Sequence, residues 1–196
     1  TILFLNRRGN SRCLVCVDCR EAPECPRCEA RLTYHSANGR LMCHYCGHSQ
    51  PVPSRCPQCG GPLKSVGVGT QKAQNELLEL FPDMEIARMD ADTVSAVNTH
   101  EKILDHFKND HVPVLIGTQM VAKGLNLPDV TLVGVLDADL SLYTGGYRAG
   151  ETTFNMLTQV VGRAGRGDSP GRAVIQTLVP EHQVIRLAAQ QDYDGF

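Results

Sequence analysis

Apolar residues fall into short runs separated by amphipathic stretches over most of the chain, and this pattern predicts strands that alternate with helices. Short segments of strand length that contain apolar or β-branched residues predict strands at 1–6, 64–68, 85–89, 113–116, 131–136 and 172–178. Apolar positions at helical spacing predict helices at 70–81, at 99–109, at 151–161 and after Pro180. Because this alternation is typical of a parallel sheet covered by helices, we expect an α/β fold whose first strand joins the same sheet as the later ones.

The first two predicted helices show which positions should face the core. In the helix at 70–81 the apolar residues at helical spacing are Ala73, Leu77, Leu80 and Phe81. In the helix at 99–109 they are Ile103, Leu104 and Phe107. We expect Thr70 to cap the first of these helices, because a threonine side chain at a helix start accepts a hydrogen bond from an early backbone N–H.

A cysteine-rich segment interrupts this pattern behind the first strand. All nine cysteines lie between Cys13 and Cys59, in a segment with few long apolar runs. A segment without a sizeable apolar core needs metal ligands to hold a fold. We therefore divide the chain into a first strand at 1–9, an inserted cysteine module at 10–62, and the remainder of the α/β domain at 63–196.

Eight of the nine cysteines form four Cys-x-x-Cys pairs. The pairs are Cys16/Cys19, Cys25/Cys28, Cys43/Cys46 and Cys56/Cys59. Two residues between thiolates let both sulfurs reach one ion at about 2.3 Å, so two pairs complete a tetrahedral zinc site. Neighbouring, crossed and nested combinations are all possible. We favour nesting, in which the second and third pairs share one site at ordinary ribbon spacing and the first and fourth pairs share another.

Zinc is the metal that this pattern favours, with a structural role. Four thiolates leave no open position for water, so such a site cannot be hydrolytic. Disulfides are less favoured, because clustered Cys-x-x-Cys pairs in a chain without an export signal are typical of metal sites.

An iron–sulfur cluster is the alternative metal site. The spacing of the first four cysteines is similar to a ferredoxin run, although the last gap has five residues where that run has three. These cysteines are Cys13, Cys16, Cys19 and Cys25. Three histidines in or near the module could also replace a cysteine ligand, namely His35, His44 and His48.

Charge and length narrow the classes of function. The 196 residues include 19 lysines and arginines against 21 aspartates and glutamates, a formal net charge of −2. Binding to nucleic acid by bulk positive charge is therefore excluded, and a DNA contact has to come from local geometry. No apolar run approaches the roughly 18 residues of a membrane span, so we expect a cytoplasmic protein that contacts no membrane.

The string Gln-Val-Val-Gly-Arg-Ala-Gly-Arg at 159–166 carries the most chemistry outside the cysteine module. Gln159 and Arg163 are one helical turn apart, and two glycines remove side chains where another surface must approach closely. Arginine suits a phosphate site, because its planar guanidinium stays charged and binds phosphate oxygens as charge develops in phosphoryl transfer. We therefore expect Arg163 and Arg166 to form a rigid corner that faces phosphate.

This string resembles motif VI of superfamily 2 helicases. Upstream, Gly-Thr-Gln-Met-Val-Ala-Lys-Gly at 117–124, followed by Pro-Asp-Val at 128–130, resembles their motif V. Three further strings are Leu-Asn-Arg-Arg-Gly at 5–9, Val-Leu-Asp-Ala-Asp at 135–139 and Tyr-Arg-Ala at 147–149. With the eight-cysteine insertion, they narrow the resemblance to the primosomal replication-restart DNA helicases of bacteria. The resemblance runs from about Leu3 to Phe196.

The resemblance implies a fold and roles for particular residues. The fold is a second RecA-like lobe, a parallel sheet with helices on both faces and an inserted module that holds two zinc ions in nested sites. Arg163 and Arg166 would be arginine fingers on the γ-phosphate of ATP, supported by Gln159. The residues implied to contact DNA phosphate or nucleotide are Thr118, Gln119, Lys123 and Gly124, the last of which would line the cleft between the lobes.

The resemblance also implies an activity. It is that of an ATP-dependent 3′–5′ DNA helicase that restarts stalled replication forks and loads the primosome, with Zn²⁺, ATP and Mg²⁺ as cofactors. The implied partners are forked or single-stranded DNA, primosome proteins and an N-terminal helicase lobe in the same chain. In the family the zinc module also helps strand separation and primosome assembly.

Two motifs of such an enzyme are absent from the sequence. It contains neither a Gly-x4-Gly-Lys-[Ser/Thr] loop nor Asp-Glu-x-His, which hold the triphosphate and magnesium. We therefore expect a fragment of a longer chain, inactive alone, whose complete form carries both motifs upstream of Thr1.

Two other classes of function fit parts of the sequence. A non-enzymatic zinc-ribbon adaptor would dock on DNA or on a primosome partner and keep a helicase-like lobe as its scaffold. A redox protein would require the iron–sulfur interpretation of the cysteines.

Overall fold

The computed structural model shows two sheets and five helices among the residues that it describes. The described residues are 1–5, 11–35, 38–67, 69–90, 93, 99–118, 121, 127, 129–144, 146–165 and 170–196. In chain order the strands are β1 (Ile2–Leu5), β2 (Ser11–Cys16), β3 (Thr33–His35), β4 (Arg40–Met42), β5 (Ser49–Pro51), β6 (Leu63–Val66), β7 (Ile86–Met89), β8 (Val114–Gly117), β9 (Leu132–Leu136) and β10 (Arg172–Ile175). The helices are α1 (Thr70–Leu80), α2 (Thr99–Asn109), α3 (Leu140–Thr144), α4 (Ala149–Val161), which follows a 3₁₀ turn at Gly146–Arg148, and α5 (Gln183–Gln190). None of the described helices combines the length and the apolar character that crossing a bilayer requires.

β1 lies at the centre of a parallel sheet. The order of its strands is β10-β9-β1-β8-β7. Leu3 pairs with Ile116 of β8 on one side and with Gly134 of β9 on the other. The prediction that the first strand joins the sheet of the later strands is confirmed, and the cysteine-rich segment is inserted directly after the central strand.

Helices pack on both faces of the parallel sheet. Ile2 and Phe4 point into the cluster formed with α2, α4 and α5, in which Leu157 is fully buried. Leu5 points to the other face and packs with Ala73 of α1. This alternation follows from the pleat of a strand, which sends successive side chains to opposite faces. The predicted α/β fold with helices on both faces is confirmed.

The predicted core face is correct for α2 and only partly correct for α1. In α2, Leu104 and Phe107 are buried and Ile103 packs against them. In α1, Ala73 is buried and Leu77 half-buried, whereas Leu80 and Phe81 are 71% and 54% exposed. α1 packs on β7 and β8, and β7 is the edge strand of the sheet. The described part of the chain therefore offers no further strand for the last turn of α1 to cover.

Thr70 is not the cap of α1. The helix is capped by Gly69, which makes no side-chain hydrogen bond, and Thr70 is the first helical residue. The Thr70 hydroxyl instead donates to the carboxylate of Asp90, which follows β7. This bond joins the start of α1 to the end of β7. The Thr70 side chain therefore helps to hold the helix against the sheet and does not cap its N-terminus.

The second sheet is antiparallel and belongs to the cysteine-rich segment. Its order is β5-β4-β3-β2-β6. β6 corresponds to the strand predicted at 64–68, but it pairs with β2, with Cys13 opposite Val66, and takes no part in the parallel sheet. The apolar pattern did not predict β2, because its sequence mixes serine, arginine and cysteine with two aliphatic residues. The antiparallel sheet thus extends to Val66, and the division of the chain at 62 and 63 remains a prediction.

Candidate metal centres and phosphate-binding corner

Two clusters of four cysteines lie in the cysteine-rich segment. The outer cluster consists of Cys16, Cys19, Cys56 and Cys59, and the inner cluster of Cys25, Cys28, Cys43 and Cys46. Within each cluster the four sulfur atoms lie within 4.8 Å of one another. The structure therefore brings the nested pairs together, and not the neighbouring or crossed ones.

The spacing of the sulfurs fits a tetrahedral metal ion. The Sγ atoms of Cys16 and Cys59 are 3.4 Å apart in the outer cluster, and those of Cys28 and Cys43 are 3.4 Å apart in the inner cluster. Four ligands at the zinc–sulfur distance of about 2.3 Å form a tetrahedron with edges of about 3.8 Å. Both clusters are therefore close in size to a zinc site with four thiolates, and such a site has no open position for a reacting water.

The four Cys-x-x-Cys turns share one backbone conformation. In each turn the N–H of the first cysteine donates to the carbonyl five residues later, as from Cys25 to Ala30 at 2.8 Å. The residue after the second cysteine has a positive φ in every turn, and these residues are Arg20, Glu29, Gly47 and Gly60. Glycine adopts this conformation without strain, whereas arginine and glutamate do so rarely. The cysteine spacing predicted the sites, but it gave no sign of positive φ at the arginine and the glutamate.

Backbone N–H groups in these turns favour the thiolate form of individual cysteines. The N–H of Cys46 lowers the pKa of Cys43 to about 6, and the N–H of Cys59 lowers the pKa of Cys56 to about 7. At Cys28 the N–H of Ala30 acts in the same direction, but the neighbouring Cys43 sulfur raises the pKa to about 12. A cation held among the four sulfurs removes this conflict, because thiolates are the form that binds metal.

The histidines considered as substitute ligands lie outside both clusters. The Nε2 atoms of His35 and His44 are 3.2 Å apart, and the Nε2 atom of His48 is 3.1 Å from Oε1 of Gln50. Since each cluster already contains four sulfurs, the arrangement requires no histidine ligand.

The structure does not support the iron–sulfur interpretation. Cys16 and Cys19 belong to the outer cluster and Cys25 to the inner one, so the ferredoxin-like run is divided between two sites. Cys13 is fully buried in an apolar cluster with Leu140 of α3, and burial raises its pKa to about 12. Cys13 therefore packs as an apolar residue and belongs to neither metal cluster.

A junction between Tyr143 and Arg31 joins the cysteine-rich sheet to the α/β part of the chain. The Tyr143 hydroxyl of α3 donates to the carbonyl of Arg20 at 2.8 Å. The Arg31 guanidinium lies 4.9 Å from the centroid of the Tyr143 ring and donates to the carbonyl of Leu142 at 3.4 Å. Arg31 also pairs with Glu21 at 3.2 Å. Sequence reasoning missed this junction, because its partners are more than a hundred positions apart in the chain.

Arg163 lies just beyond the end of α4. The helix ends at Val161, and the N–H of Arg163 donates to the carbonyl of Val160 at 3.0 Å in the turn that follows. The Arg163 residue is half-buried, and Gln159 in the last helical turn is exposed. The structure therefore places Arg163 and its predicted support Gln159 near one helix end, with Arg163 outside the helix itself.

Gly165 shapes the turn that contains Arg163. Its φ is +71°, and its N–H donates to the carbonyl of Val130 at 3.0 Å. A Cβ atom at this position would collide with the backbone of Gly171, just before β10. The close approach expected at this glycine is therefore made by the chain's own backbone.

Thr118 lies at the carboxyl end of β8, near the same corner. Thr118 is half-buried, and its carbonyl accepts a hydrogen bond of 2.9 Å from the N–H of Val121. Val121, Phe4 and Arg163 border one small apolar space. The start of the 117–124 string and the turn with Arg163 therefore adjoin. The other predicted site residues, Gln119, Lys123, Gly124 and Arg166, lie outside the described residues.

Comparison with known proteins gives matches to both parts of the chain. Residues 25–51 match the family described as the PriA DNA helicase Cys-rich region domain. Residues 66–168 match the helicase conserved C-terminal domain, and this range includes both Thr118 and Arg163.

Several curated proteins are similar to the whole chain. "Replication restart protein PriA" of Bacillus subtilis is 48% identical over 196 residues, which cover 100% of this chain and 24% of the relative. The proteins of the same name from Synechocystis sp. and Chlamydia pneumoniae are 46% and 40% identical over 200 and 198 residues, covering 100% of this chain and 24% and 26% of the relatives. The chain thus spans about a quarter of the length of these relatives.

Proposed function

Because the chain belongs to the family of helicase conserved C-terminal domains, we propose that it is the second RecA-like lobe of an ATP-dependent DNA helicase that restarts stalled replication forks. The observation that carries the proposal is that one chain matches both a helicase C-terminal domain and a PriA cysteine-rich region. The relatives named for replication restart are similar over the full chain. In this proposal the protein acts in the cytoplasm, on forked or single-stranded DNA and with primosome proteins.

Arg163 and Arg166 are the proposed ATP-contacting residues of this lobe. Their guanidinium groups would stabilise the charge that develops on the γ-phosphate, with Gln159 as a support, while a first lobe outside this sequence holds ATP and Mg²⁺. The rigid turn after α4 supports this role, because Gly165 fixes the backbone beside Arg163. A guanidinium held in place before the reaction needs little reorganisation as charge develops.

Thr118, Gln119, Lys123 and Gly124 are the proposed contacts to DNA phosphate and to the cleft between the lobes. Thr118 follows a parallel strand at its carboxyl end, which is where open α/β sheets bind ligands. Through Val121 this segment adjoins Arg163. In this proposal, a shift of the segment on DNA binding is transmitted through Val121 to Arg163, the proposed ATP contact.

The two cysteine clusters are the proposed zinc sites. Their sulfur spacing fits the metal, and the zinc-ribbon match covers the inner cluster. The role of zinc here is structural, because four thiolates occupy the coordination shell. The ions would hold the small antiparallel sheet in the shape that packs on α3.

Substitution of the arginines in the complete protein tests the proposal. We expect Arg163→Ala and Arg166→Ala each to lower DNA-stimulated ATP turnover by about a thousandfold, because an arginine finger contributes about that much to the rate. Binding to forked DNA, measured by fluorescence anisotropy, should change little. Arg186→Ala is the matched control, since Arg186 is an exposed arginine on α5.

Two outcomes would count against the helicase proposal. Unchanged ATP turnover in both arginine variants would favour the non-enzymatic adaptor. Direction is tested separately with partial duplexes that carry either a 3′ or a 5′ single-stranded tail. Unwinding only from the 5′ tail, measured by release of a labelled strand, would contradict the proposed 3′–5′ translocation.

A further inference from the structure

The two most exposed aromatic side chains in the described part of the chain lie at one place. Tyr147, in the turn before α4, is 86% exposed, and Tyr45, in the turn of the inner cysteine cluster, is 70% exposed. The Tyr45 hydroxyl lies only 2.7 Å from the position that a Cβ atom would take on Gly146. The cysteine-rich sheet therefore brings Tyr45 against the residue that precedes Tyr147.

Gly146 permits this approach. Its φ is +62°, a conformation that L side chains rarely adopt, and the space for its Cβ atom is taken by the Tyr45 ring and hydroxyl. The contact joins two parts of the chain whose relative position is also set by Tyr143, three residues earlier, through Arg20 and Arg31. The two tyrosines are thus held near each other by structure on both sides.

A cation accompanies the exposed rings. The Arg148 guanidinium lies 5.3 Å from the centroid of the Tyr147 ring, within the range of a cation–π contact, and Arg148 is exposed. Exposed rings contribute little to stability, because they bury little surface. Two flat aromatic groups and a planar cation therefore stand in solvent at the junction of the two sheets without a packing role that explains them.

We propose that Tyr45, Tyr147 and Arg148 form a stacking platform for the unpaired bases of a single-stranded nucleic acid. Every base has a π face, so aromatic rings bind single strands with little regard to sequence, and an arginine adds both stacking and attraction to phosphate. Bases in a duplex are already stacked and do not offer their faces. The platform therefore selects single strands over duplex by stacking. Stacking does not require a positive net charge, and the net charge of this chain is −2.

The proposed helicase function of the lobe and the cation beside the rings favour nucleic acid over a protein partner. The neighbours of the two rings in the sequence are His44, Cys46, Gly146 and Arg148, and Arg148 supplies a positive charge that attracts phosphate. Tyrosine and arginine are also enriched in protein hot spots, so a protein partner is the occupant that unchanged single-strand affinity in the tyrosine variants would favour. The inference rests on the proposed function, since it adds a single-strand contact to the proposed DNA helicase.

The platform follows, in chain order, the edge of the parallel sheet where the proposed DNA contact Thr118 lies. α3 and the turn with Tyr147 follow the carboxyl end of β9. Thr118 follows the carboxyl end of β8, and the carboxyl ends of parallel strands meet at the same edge of a sheet. A single strand whose phosphate is held near Thr118 would therefore lie at the edge of the sheet that leads into α3 and the turn with Tyr147.

Affinity for labelled (dT)30, measured by anisotropy with the complete zinc-loaded protein, tests the platform. We expect Tyr147→Ala and Tyr45→Ala each to weaken binding by about 5- to 150-fold, the range for loss of one stacked base. Tyr147→Phe should bind like the unchanged protein, because it keeps the ring. Phe81→Ala is the matched control, since Phe81 is an exposed aromatic residue at the end of α1.

The dependence on salt separates stacking from charge. The tyrosine variants should leave the slope of log affinity against log salt unchanged, because stacking releases no counterions. Arg148→Gln should make the slope shallower by about 0.7, the value for one phosphate contact on a single strand. A variant that only disturbed the fold would not show this difference, in which loss of a ring lowers affinity at an unchanged salt slope and loss of the cation changes the slope.

The outcomes also separate this inference from the proposed function. If the complete protein binds (dT)30 and shows DNA-stimulated ATP turnover, but the Tyr45→Ala/Tyr147→Ala double variant binds like the unchanged protein, the platform is wrong and the helicase proposal stands. Loss of binding in Phe81→Ala to the same extent as in Tyr147→Ala would also overturn it. If the unchanged protein fails to bind single-stranded DNA at all, both the proposed function and the platform are contradicted.

Discussion

Tyr143 shows how much one side chain contributes to joining the two sheets. It is 6% exposed, packs beside Cys13 and Leu140, and receives the Arg31 guanidinium on its ring. Burial is the main reason why its pKa is raised to about 12, so the hydroxyl remains a donor to Arg20 at physiological pH. The residue therefore couples an apolar contact, a cation–π contact and a hydrogen bond at one junction.

Substitution of Tyr143 should distinguish these contributions. We expect Tyr143→Phe to lower the free energy of unfolding by about 1 kcal/mol, because it removes one hydrogen bond and leaves the Arg20 carbonyl without it. Tyr143→Ala should lower it by about 3 kcal/mol or more, since it also leaves a cavity. Urea unfolding of the zinc-loaded protein measures both. Tyr147→Phe, at an exposed ring, should change nothing, and equal losses in the two phenylalanine variants would contradict the assigned role of Tyr143.

Single residues also show where sequence patterns cease to predict structure. The cysteine spacing predicted the two clusters, because each Cys-x-x-Cys pair forms its half of a site within one turn. Burial of Leu80 and Phe81 was predicted from helical spacing and is wrong, because burial depends on what the sheet places opposite that turn. The junction of Tyr143 with Arg31 has no local signature, since its partners meet only in the folded chain.

Helices and strands were predicted correctly where their own sequence determines them, and less well where contacts with distant residues do. α2 begins and ends at the predicted residues 99 and 109, because its apolar spacing is strong and its own sequence determines it. β6 was predicted as a strand of the parallel sheet but lies in the antiparallel one, because a short segment does not reveal its partner. α3, with five residues, is too short to show a helical period and was not predicted.

At the C-terminal end of α2, His106 provides a contact that depends on pH. Its Nδ1 atom is 2.7 Å from Asp110, its Nε2 atom is 2.9 Å from Glu85 before β7, and the hydrogen bond to Asp110 is the main cause that raises its pKa. A raised pKa in the folded state stabilises the protein fully below the unfolded value of about 6.5, and the contribution is lost as pH rises through the folded value.

The stability difference between the unchanged protein and His106→Gln should therefore be larger at pH 6 than at pH 9. Chemical unfolding at both pH values measures it, and His100→Gln, at the start of the same helix, is the control. A difference that is the same at both pH values would show that the histidine does not act through its charge.

On the scale of the whole molecule, we expect the proposed zinc ions and the apolar core to stabilise different regions. Within the cysteine-rich sheet, Leu14, Leu32 and Leu41 form a small apolar cluster whose other buried members are Cys25 and Cys43 of the inner cysteine cluster. The parallel sheet has a large core of its own on one face, including Phe4 and Leu157. Removal of metal should therefore affect the two regions unequally.

Chelation of zinc in the complete protein should increase hydrogen exchange in β2 to β6 while the amides of α4 and α5 remain protected. Small metal-bound domains of this kind are commonly unfolded without their ion. Cys28→Ala should lower the zinc content from two ions per chain to one, whereas Cys13→Ala should leave it at two, because Cys13 belongs to neither cluster. Loss of one ion in the Cys13 variant, or equal loss of protection in both regions, would contradict this account.

The central position of β1 has a consequence for the newly made chain. Leu3 reaches its partners Ile116 and Gly134 only after more than a hundred further residues have been synthesised, whereas Cys16 and Cys59 are much closer in sequence. If the clusters bind zinc as proposed, the insertion can close around its ions while the strand before it still exposes two unpaired edges, which favour aggregation. Scarcity of zinc during translation would then leave both the unpaired strand and the unfolded insertion exposed, and the newly made chain would depend more on chaperones.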